Sequence, residues 1–202
     1  MGEKLKFFLS LGLFSSNGVD SGTRMLLKTI AQQNIIPEKG SILDAGCGTG
    51  TIAISLKKKF PGIKVTAADR DALALRFTEM NAELNNIPAE SFFTTGGLLP
   101  GGMNAPLSNG PQKFDLIISN IPAKAGNPVI KDFLQNCGNH LNNRGIAAVV
   151  IVNPLAAFAA ECLNDSAAEI TYTESDKQYT IFHFVSSSET ESKSLTDIYI
   201  RN

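Results

Sequence analysis

An aspartate followed by three glycines at alternate positions, Asp44-Ala45-Gly46-Cys47-Gly48-Thr49-Gly50, is the stretch of this 202-residue chain best suited to chemistry. The apolar pair Ile42-Leu43 leads into it and a helical pattern leaves it. The glycines therefore stand at a strand-to-helix turn, where a ligand can lie directly against the main chain. Two phosphate sites are excluded by the spacing. A dinucleotide fingerprint requires Gly-x-Gly-x-x-Gly, and position 51 is Thr51; a P-loop requires Lys before Ser or Thr, which is also missing. An acid at the strand end repels pyrophosphate but suits a ligand carrying an ammonium and a sulfonium.

About 25 residues on, Asp69 ends a second apolar strand pattern. Sheets of this kind place a carboxylate there to accept from ribose hydroxyls. Each acid alone has a plainer explanation, Asp44 as a strand-end acid capping the next turn and Asp69 as a helix N-cap. Strand, Asp, spaced glycines, helix, strand and Asp in succession point to S-adenosylmethionine.

The elements that must hold these residues alternate between short apolar strands and amphipathic helices. Strands are predicted over Ser41–Ala45, Lys64–Ala68, Ser91–Thr94, Phe114–Ser119, Gly145–Val152, Glu169–Thr173 and Tyr179–Val185. Helices are predicted over Thr23–Gln33, with Ser21 as cap and Leu26, Leu27 and Ile30 on one face, and over Gly50–Lys59, Asp71–Asn85, Val129–Asn139 and Leu155–Leu163. That order implies right-handed βαβ units, a central parallel sheet and an α/β fold. The last two strands, joined by Glu174–Gln178, are too close for a crossover helix and pair as an antiparallel hairpin. The connection 95–113, with five Gly and three Pro, reads as a mobile active-site segment or a disordered insert. The expected division is an N-terminal arm over 1–22, one domain over 23–185, and a tail over 186–202 that starts as a Ser-rich linker and leads into a further segment.

Composition narrows the class. Eighteen Lys and Arg against nineteen Asp and Glu leave a net charge of −1, so the chain as a whole is not an electrostatic nucleic-acid binder, and only a local basic patch stays open. Three cysteines without CxxC spacing argue for reduced thiols, no metal site and a cytoplasmic location. Lys4 and Lys6 before Phe7–Phe14 imitate a secretory signal, but the run is short and continues into Ser15-Ser16-Asn17-Gly18 without a small-x-small cleavage site. Lys6 also breaks the myristoylation pattern after Gly2. No apolar stretch reaches the 18 residues of a membrane span. His140 is expected to meet the carbonyls of the preceding helix and His183 to lie in the closing strand. Neither has a Cys or Ser partner, so a histidine-based nucleophile is not indicated. Lys57–Lys59 read as a solvated helix end, with a phosphate contact as the alternative, and Cys47 as a small residue that fits its turn.

Three stretches carry a resemblance to a known family: Phe14-Ser15-Ser16-Asn17-Gly18-Val19-Asp20-Ser21-Gly22-Thr23, Asp44 to Gly50, and Ser119-Asn120-Ile121-Pro122-Ala123-Lys124-Ala125-Gly126. Together they resemble the class I S-adenosylmethionine-dependent methyltransferases and, more narrowly, the small-domain family that contains the ribosomal RNA guanine-N2 methyltransferases. The resemblance spans roughly Lys4 to Val185. It implies a Rossmann-like, seven-stranded, mostly parallel sheet of order 3-2-1-4-5-7-6 with helices on both faces. It also implies S-adenosylmethionine at the carboxyl ends of strands one, two and four, with Gly46, Gly48 and Gly50 against the methionine portion, Asp69 on the ribose, the backbone near Gly96 beside the adenine and Asp20 near the amino-acid end.

By the same resemblance the motif after strand four, Asn-Pro-Pro in the family, handles a planar amino nitrogen, with Asn120, Ile121 and Pro122 as the catalytic stretch. A conjugated amine is a poor nucleophile, so its protons are held by acceptors, one from the Asn120 side chain and one from the backbone beside Pro122. Here Ile121 replaces the first Pro and Ala123 stands where many members stack an aromatic on the target base. The implied substrate is RNA, ribosomal RNA first, with a further domain or subunit helping to bind it. Methylation of a protein amide or a small molecule is the enzymatic alternative. A methyltransferase-fold RNA-binding or structural module is the other.

Overall fold

Near-continuous apolar runs at 114–120 and 145–152 make the centre of the sheet, and everything else is arranged on its two faces. The computed structural model describes residues 4–9, 19–88, 90, 92–100, 112–166 and 168–187. Residues 10–18 of the arm, 101–111 of the Gly- and Pro-rich connection and the tail from 188 onward lie outside the described set. The strands are β1 (Gly40–Ala45), β2 (Ile63–Asp69), β3 (Phe92–Gly96), β4 (Phe114–Asn120), β5 (Leu141–Val152), β6 (Ala168–Ser175) and β7 (Tyr179–Ser186). They form one sheet of order β3-β2-β1-β4-β5-β7-β6. The first five are parallel, and β7 is antiparallel to both β5 and β6.

Strand side chains alternate between two cores. On one face α1 (Ser21–Gln32), α2 (Thr51–Lys59) and α3 (Ala72–Leu84) bring Leu26, Ile30, Ile52, Ile54 and Ala82 onto Ile42, Val65, Leu116, Ile118 and Val150. On the other, α4 (Asn127–Cys137) and α5 (Ala156–Asn164) bring Ile130, Phe133, Leu134 and Leu163 onto Leu43, Phe114, Ile117, Val149 and Ile151. Neighbours such as Ile42 and Leu43 thus serve opposite faces, the pattern of strands buried on both sides. β6 instead alternates half-buried and exposed residues along its length, as an edge strand does.

Several expectations are corrected. Asp20, not Ser21, caps α1: its backbone is extended and its carboxylate accepts the amide of Thr23 at 3.0 Å, so the helix starts two residues early. His140 pairs through Nδ1 with the Gln112 carbonyl at 2.9 Å, not with the helix end, and burial lowers its pKa. Lys57 is 3% exposed, and its ammonium donates to the carbonyls of Pro61 and Ile63. Only Lys58 and Lys59 remain to face outward, and Lys58 reaches back to the Asn85 carbonyl. β5 begins at Leu141, four residues before the predicted Gly145, with a register irregularity opposite Phe114. Arg144 takes a left-handed φ of 65° there. No helix of the described residues is long and apolar enough to cross a membrane.

The arm segment 4–9 is held along α3 by two asparagines. Asn85 accepts from the amide of Lys6 at 3.1 Å and donates to its carbonyl at 2.7 Å. Asn81 does the same for Phe8, at 2.6 and 3.1 Å. Leu5 and Phe7, between these points, pack on the α1–α3 core, while Phe8 is 47% exposed.

Candidate functional site

The glycine turn between β1 and α2 is fixed from three sides. Gly46 and Cys47 donate their amides to the Ala68 carbonyl at 2.8 and 3.0 Å, which ties the turn to the end of β2. Gly48 donates to Asp69 at 3.0 Å. From beneath, Thr78 donates to the Gly48 carbonyl at 3.0 Å and Asn81 to the Thr49 carbonyl at 2.9 Å. Gly46 and Gly48 adopt φ of 75° and 57°, and a Cβ on Gly48 would meet nothing within 4 Å. The turn therefore offers main chain to open space, as close approach of a ligand requires.

The two acids beside it differ in kind. Asp69 accepts from Gly48 with one oxygen and from Asp71 at 2.9 Å with the other, while its own carbonyl accepts from Gly97 at 3.0 Å. Its carboxylate stays at the rim, oriented and accessible. Asp44 is fully buried under the turn. One of its oxygens accepts from the amide of Ala53 in α2 at 2.9 Å, and the other has no partner among the described residues. Burial dominates and pushes its pKa up to about 7, with the Asp69 charge adding to the rise and the Ala53 bond opposing it. Burial likewise pushes the Cys47 thiol far up, which leaves it inert as a nucleophile.

A cleft of about 630 Å³ opens at the carboxyl ends of β1, β2 and β4, within the range of small-molecule sites. It lies at the point where β1 has β2 on one side and β4 on the other, the switch point of the sheet. Gly46, Gly48 and Asp69 line one part of it, and Asp20, Asn120 and Pro122 another. Asn120 closes β4 and donates its amide to both Asp20 oxygens at 3.1 Å and to the Thr23 hydroxyl at 2.9 Å. Thr23 in turn donates to Asp20 at 2.8 Å. Ser119, just before, donates to the Ala45 carbonyl at 2.7 Å and so holds the ends of β1 and β4 together.

Of the ten residues singled out from the sequence, six line this cleft. Asp44, Gly50, Gly96 and Ile121 do not. Gly50 takes φ 83°, and a Cβ there would press on Ile54 and Thr78 at 3.0 Å, so that glycine serves the packing of α2 on α3. Ile121 is 5% exposed, packs in the core below α4, and extends the β4 ladder by donating to Val150 at 2.9 Å. Gly96 pairs with Asp69 at the end of β3 and has open space at its Cβ position. Thr23, Thr78 and Asn81 were missed. A signal for the last two was present, since 78, 81 and 85 put polar side chains on the face of α3 whose period is otherwise apolar.

The chain is similar in sequence and in fold to known methyltransferases. Residues 4–183 match the family described as methyltransferase small domain. Ribosomal RNA small subunit methyltransferase C of Pasteurella multocida is 37% identical over 122 residues, which is 60% of this chain and 33% of that protein. The structure of a ribosomal protein L11 methylase from Lactobacillus delbrueckii subsp. bulgaricus superposes with a TM-score of 0.69 at 23% identity, covering 88% of this chain and 83% of the other. A Thermus thermophilus 16S rRNA N2 G1207 methyltransferase, solved with AdoMet and guanosine, superposes with a TM-score of 0.62 at 21% identity, over 85% of this chain and 44% of the other. Against its first-ranked curated relatives the chain spans 33% to 43% of their length.

Proposed function

The chain belongs to the methyltransferase small domain family, and from that premise we propose that it transfers a methyl group from S-adenosylmethionine to an exocyclic amino group of an RNA base, guanine N2 of ribosomal RNA first. The observation that carries the reading is one cleft lined by an exposed glycine main chain, an oriented carboxylate and a strand-end asparagine. When bound, S-adenosylmethionine supplies an electrophilic methyl group on a sulfonium. The donor set fits it: Gly46 and Gly48 present bare backbone, and Asp69 has lone pairs left for ribose hydroxyls. Asp69 at the rim, joined by Asp44 in its ionised form beneath the turn, gives the cleft the negative sign that an ammonium and a sulfonium require, while both Asp20 oxygens at the far wall are taken up by Thr23 and Asn120. Gly50 acts through the packing of the turn, and Gly96 borders the adenine.

Asn120 offers its side-chain carbonyl and the backbone beside Pro122 a second acceptor, so the two N–H groups of the target amine are held and its nitrogen is aimed. Ile121 keeps that backbone extended through its core side chain and its bond to Val150. Catalysis by these groups is orientation, with the surplus proton passing to water. In this reading residues 1–22 are an N-terminal arm, 23–185 the methyltransferase domain, and 186–202 a linker or tail. The net charge of −1 supplies little attraction for RNA, so we assign substrate contacts beyond the target base to a further domain or subunit, and the reaction to the cytoplasm.

The test is calorimetric titration with S-adenosylmethionine, followed by transfer assays on ribosomal RNA that lacks the modification. Asn120→Ala should lower transfer by about 100-fold or more, the scale of losing one oriented polar group, and leave cofactor affinity unchanged. Transfer at the wild-type rate in that variant refutes the amine reading. Transfer only to a protein amide or small molecule selects the enzymatic alternative. Cofactor binding with no transfer selects the binding module, which the exposed Ala123 in place of a stacking aromatic favours.

A further inference from the structure

The amide of Asn120 has two ends of opposite character, and only the carbonyl end can receive the proton of an amine. Which end faces the cleft is decided by what faces the other end. Asp20 is an acceptor only, and both of its oxygens lie 3.1 Å from the Asn120 nitrogen. Thr23 would be ambiguous, since a hydroxyl donates or accepts, but its proton is already directed to Asp20 at 2.8 Å, so toward Asn120 at 2.9 Å it can only accept. Asp20 is fixed in turn by capping α1 through the Thr23 amide at 3.0 Å. Among the described residues every hydrogen-bond partner at that end of Asn120 is therefore an acceptor, and Thr23 is 5% exposed, so little water competes.

We propose that Asp20 and Thr23 are positioning residues that set the polarity of Asn120, forcing its NH₂ inward and its carbonyl toward the cleft. The proposal rests on the reading that Asn120 receives the target amine, and it assigns Asp20 a task separate from the cofactor. Charge alone is not the device; the alternation of donor and acceptor is.

Asp20→Asn isolates it. Asn is as good an N-cap as Asp, so α1 is kept. The one remaining oxygen stays on the Thr23 amide, and the new NH₂ faces the NH₂ of Asn120. Two donors cannot pair, so Thr23 reverses its hydroxyl and Asn120 turns its amide over, presenting N–H groups to an amine that is itself a donor. In the full chain, transfer to unmodified ribosomal RNA should fall by about 100-fold, as for loss of an oriented polar group, with the dissociation constant of S-adenosylmethionine within about twofold of wild type. Adding Asn120→Asp to Asp20→Asn restores an acceptor that pairs with the new donor and should recover at least about tenfold, whereas Asn120→Asp alone sets carboxylate against carboxylate and should not.

A second readout does not need activity. The side-chain amide protons of Asn120, identified by their absence in Asn120→Ala, should exchange slowly by NMR in the wild type and lose that protection in Asp20→Asn. Unchanged exchange overturns the proposal whatever the assays give. Lost cofactor affinity with transfer per bound complex intact also overturns it, because Asp20 then serves the cofactor instead. Lost protection together with no transfer by the wild type on any acceptor supports the clamp and refutes the amine reading.

Discussion

The two helical layers cover the same sheet with different chemistry. On one side α1, α2 and α3 bury Thr23, Thr29, Lys57, Thr78 and Asn81 among their apolar residues. On the other, α4 and α5 bury only Ile130, Phe133, Leu134, Cys137, Ala159, Cys162 and Leu163. Three of them, Lys57, Thr78 and Asn81, are spent on main chain in the turn after α2, the glycine turn and the N-terminal arm. Buried backbone outside regular structure must find partners somewhere, and here the helices supply them. The first layer is a polar frame for the site, whereas the second stabilises by exclusion of water and adds only apolar wall to the cleft, through Val129.

The largest expected effect tests that separation from the apolar side. Phe133→Ala should cost about 3–5 kcal/mol in urea unfolding, the range for emptying a buried aromatic site, with cofactor affinity of the folded protein unchanged. An affinity that falls with it would show that the layers are not separable. Next comes pH. Asp44 binds its proton more tightly folded, at about 7, than unfolded, near 3.8. Its contribution is fully present below about pH 4 and lost as pH rises through 7, a change on the order of 4 kcal/mol. His183 runs the other way. Packed near Thr29 and Tyr172, its pKa is lowered by burial from 6.5 to about 4, so its contribution is full above 6.5 and lost as pH falls to 4, about 3 kcal/mol. Denaturation across pH 4–8 should show the Asp44 loss disappear in Asp44→Asn. The Cys137 and Cys162 thiols, pushed upward by burial, should add no pH dependence from the other layer in that range. The smallest effect is local: Asp69→Ala should weaken S-adenosylmethionine by about 1.5–3 kcal/mol in calorimetry and leave the unfolding midpoint near wild type. Unchanged affinity would remove Asp69 from the ribose.

The succession of strands and helices, the hairpin and the glycine turn were legible because each rests on local pattern: apolar runs, a two-residue period, a glycine where φ must be positive; the order of the strands in the sheet was legible only through the family resemblance. Asp69 was legible as a strand-end acid, and Asn120 through the motif after strand four that the family resemblance supplies. What the sequence did not disclose is which polar residues face each other across distance. Asp44 and Asp69 look alike in sequence, yet one lies beneath the turn and the other at the rim, because the Ala53 amide at the start of α2 draws Asp44 down. The pairing of Asp20 with Asn120 spans 100 positions and leaves no periodic trace. Lys57 reads as one of three solvated cations, and only the turn after α2 folding back over it reveals the carbonyls it serves. Ile121 stands in for a proline and reads as part of the catalytic stretch, whereas its side chain points to the core.

The grip of α3 on residues 4–9 is a matter of matched rulers. Four residues of helix advance about 6 Å, and two residues of extended chain about 6.6 Å, so within the described arm segment the asparagines at 81 and 85 meet the peptide groups at 8 and 6. Each side-chain amide carries one donor and one acceptor face, the same outfit as the peptide it binds, and reads main chain without regard to side chain. The identities of Lys6 and Phe8 are thereby free to vary. The phase is not: one inserted residue between 6 and 8 would shift the comb by half a tooth, turning Phe7 out to water and Phe8 into the core.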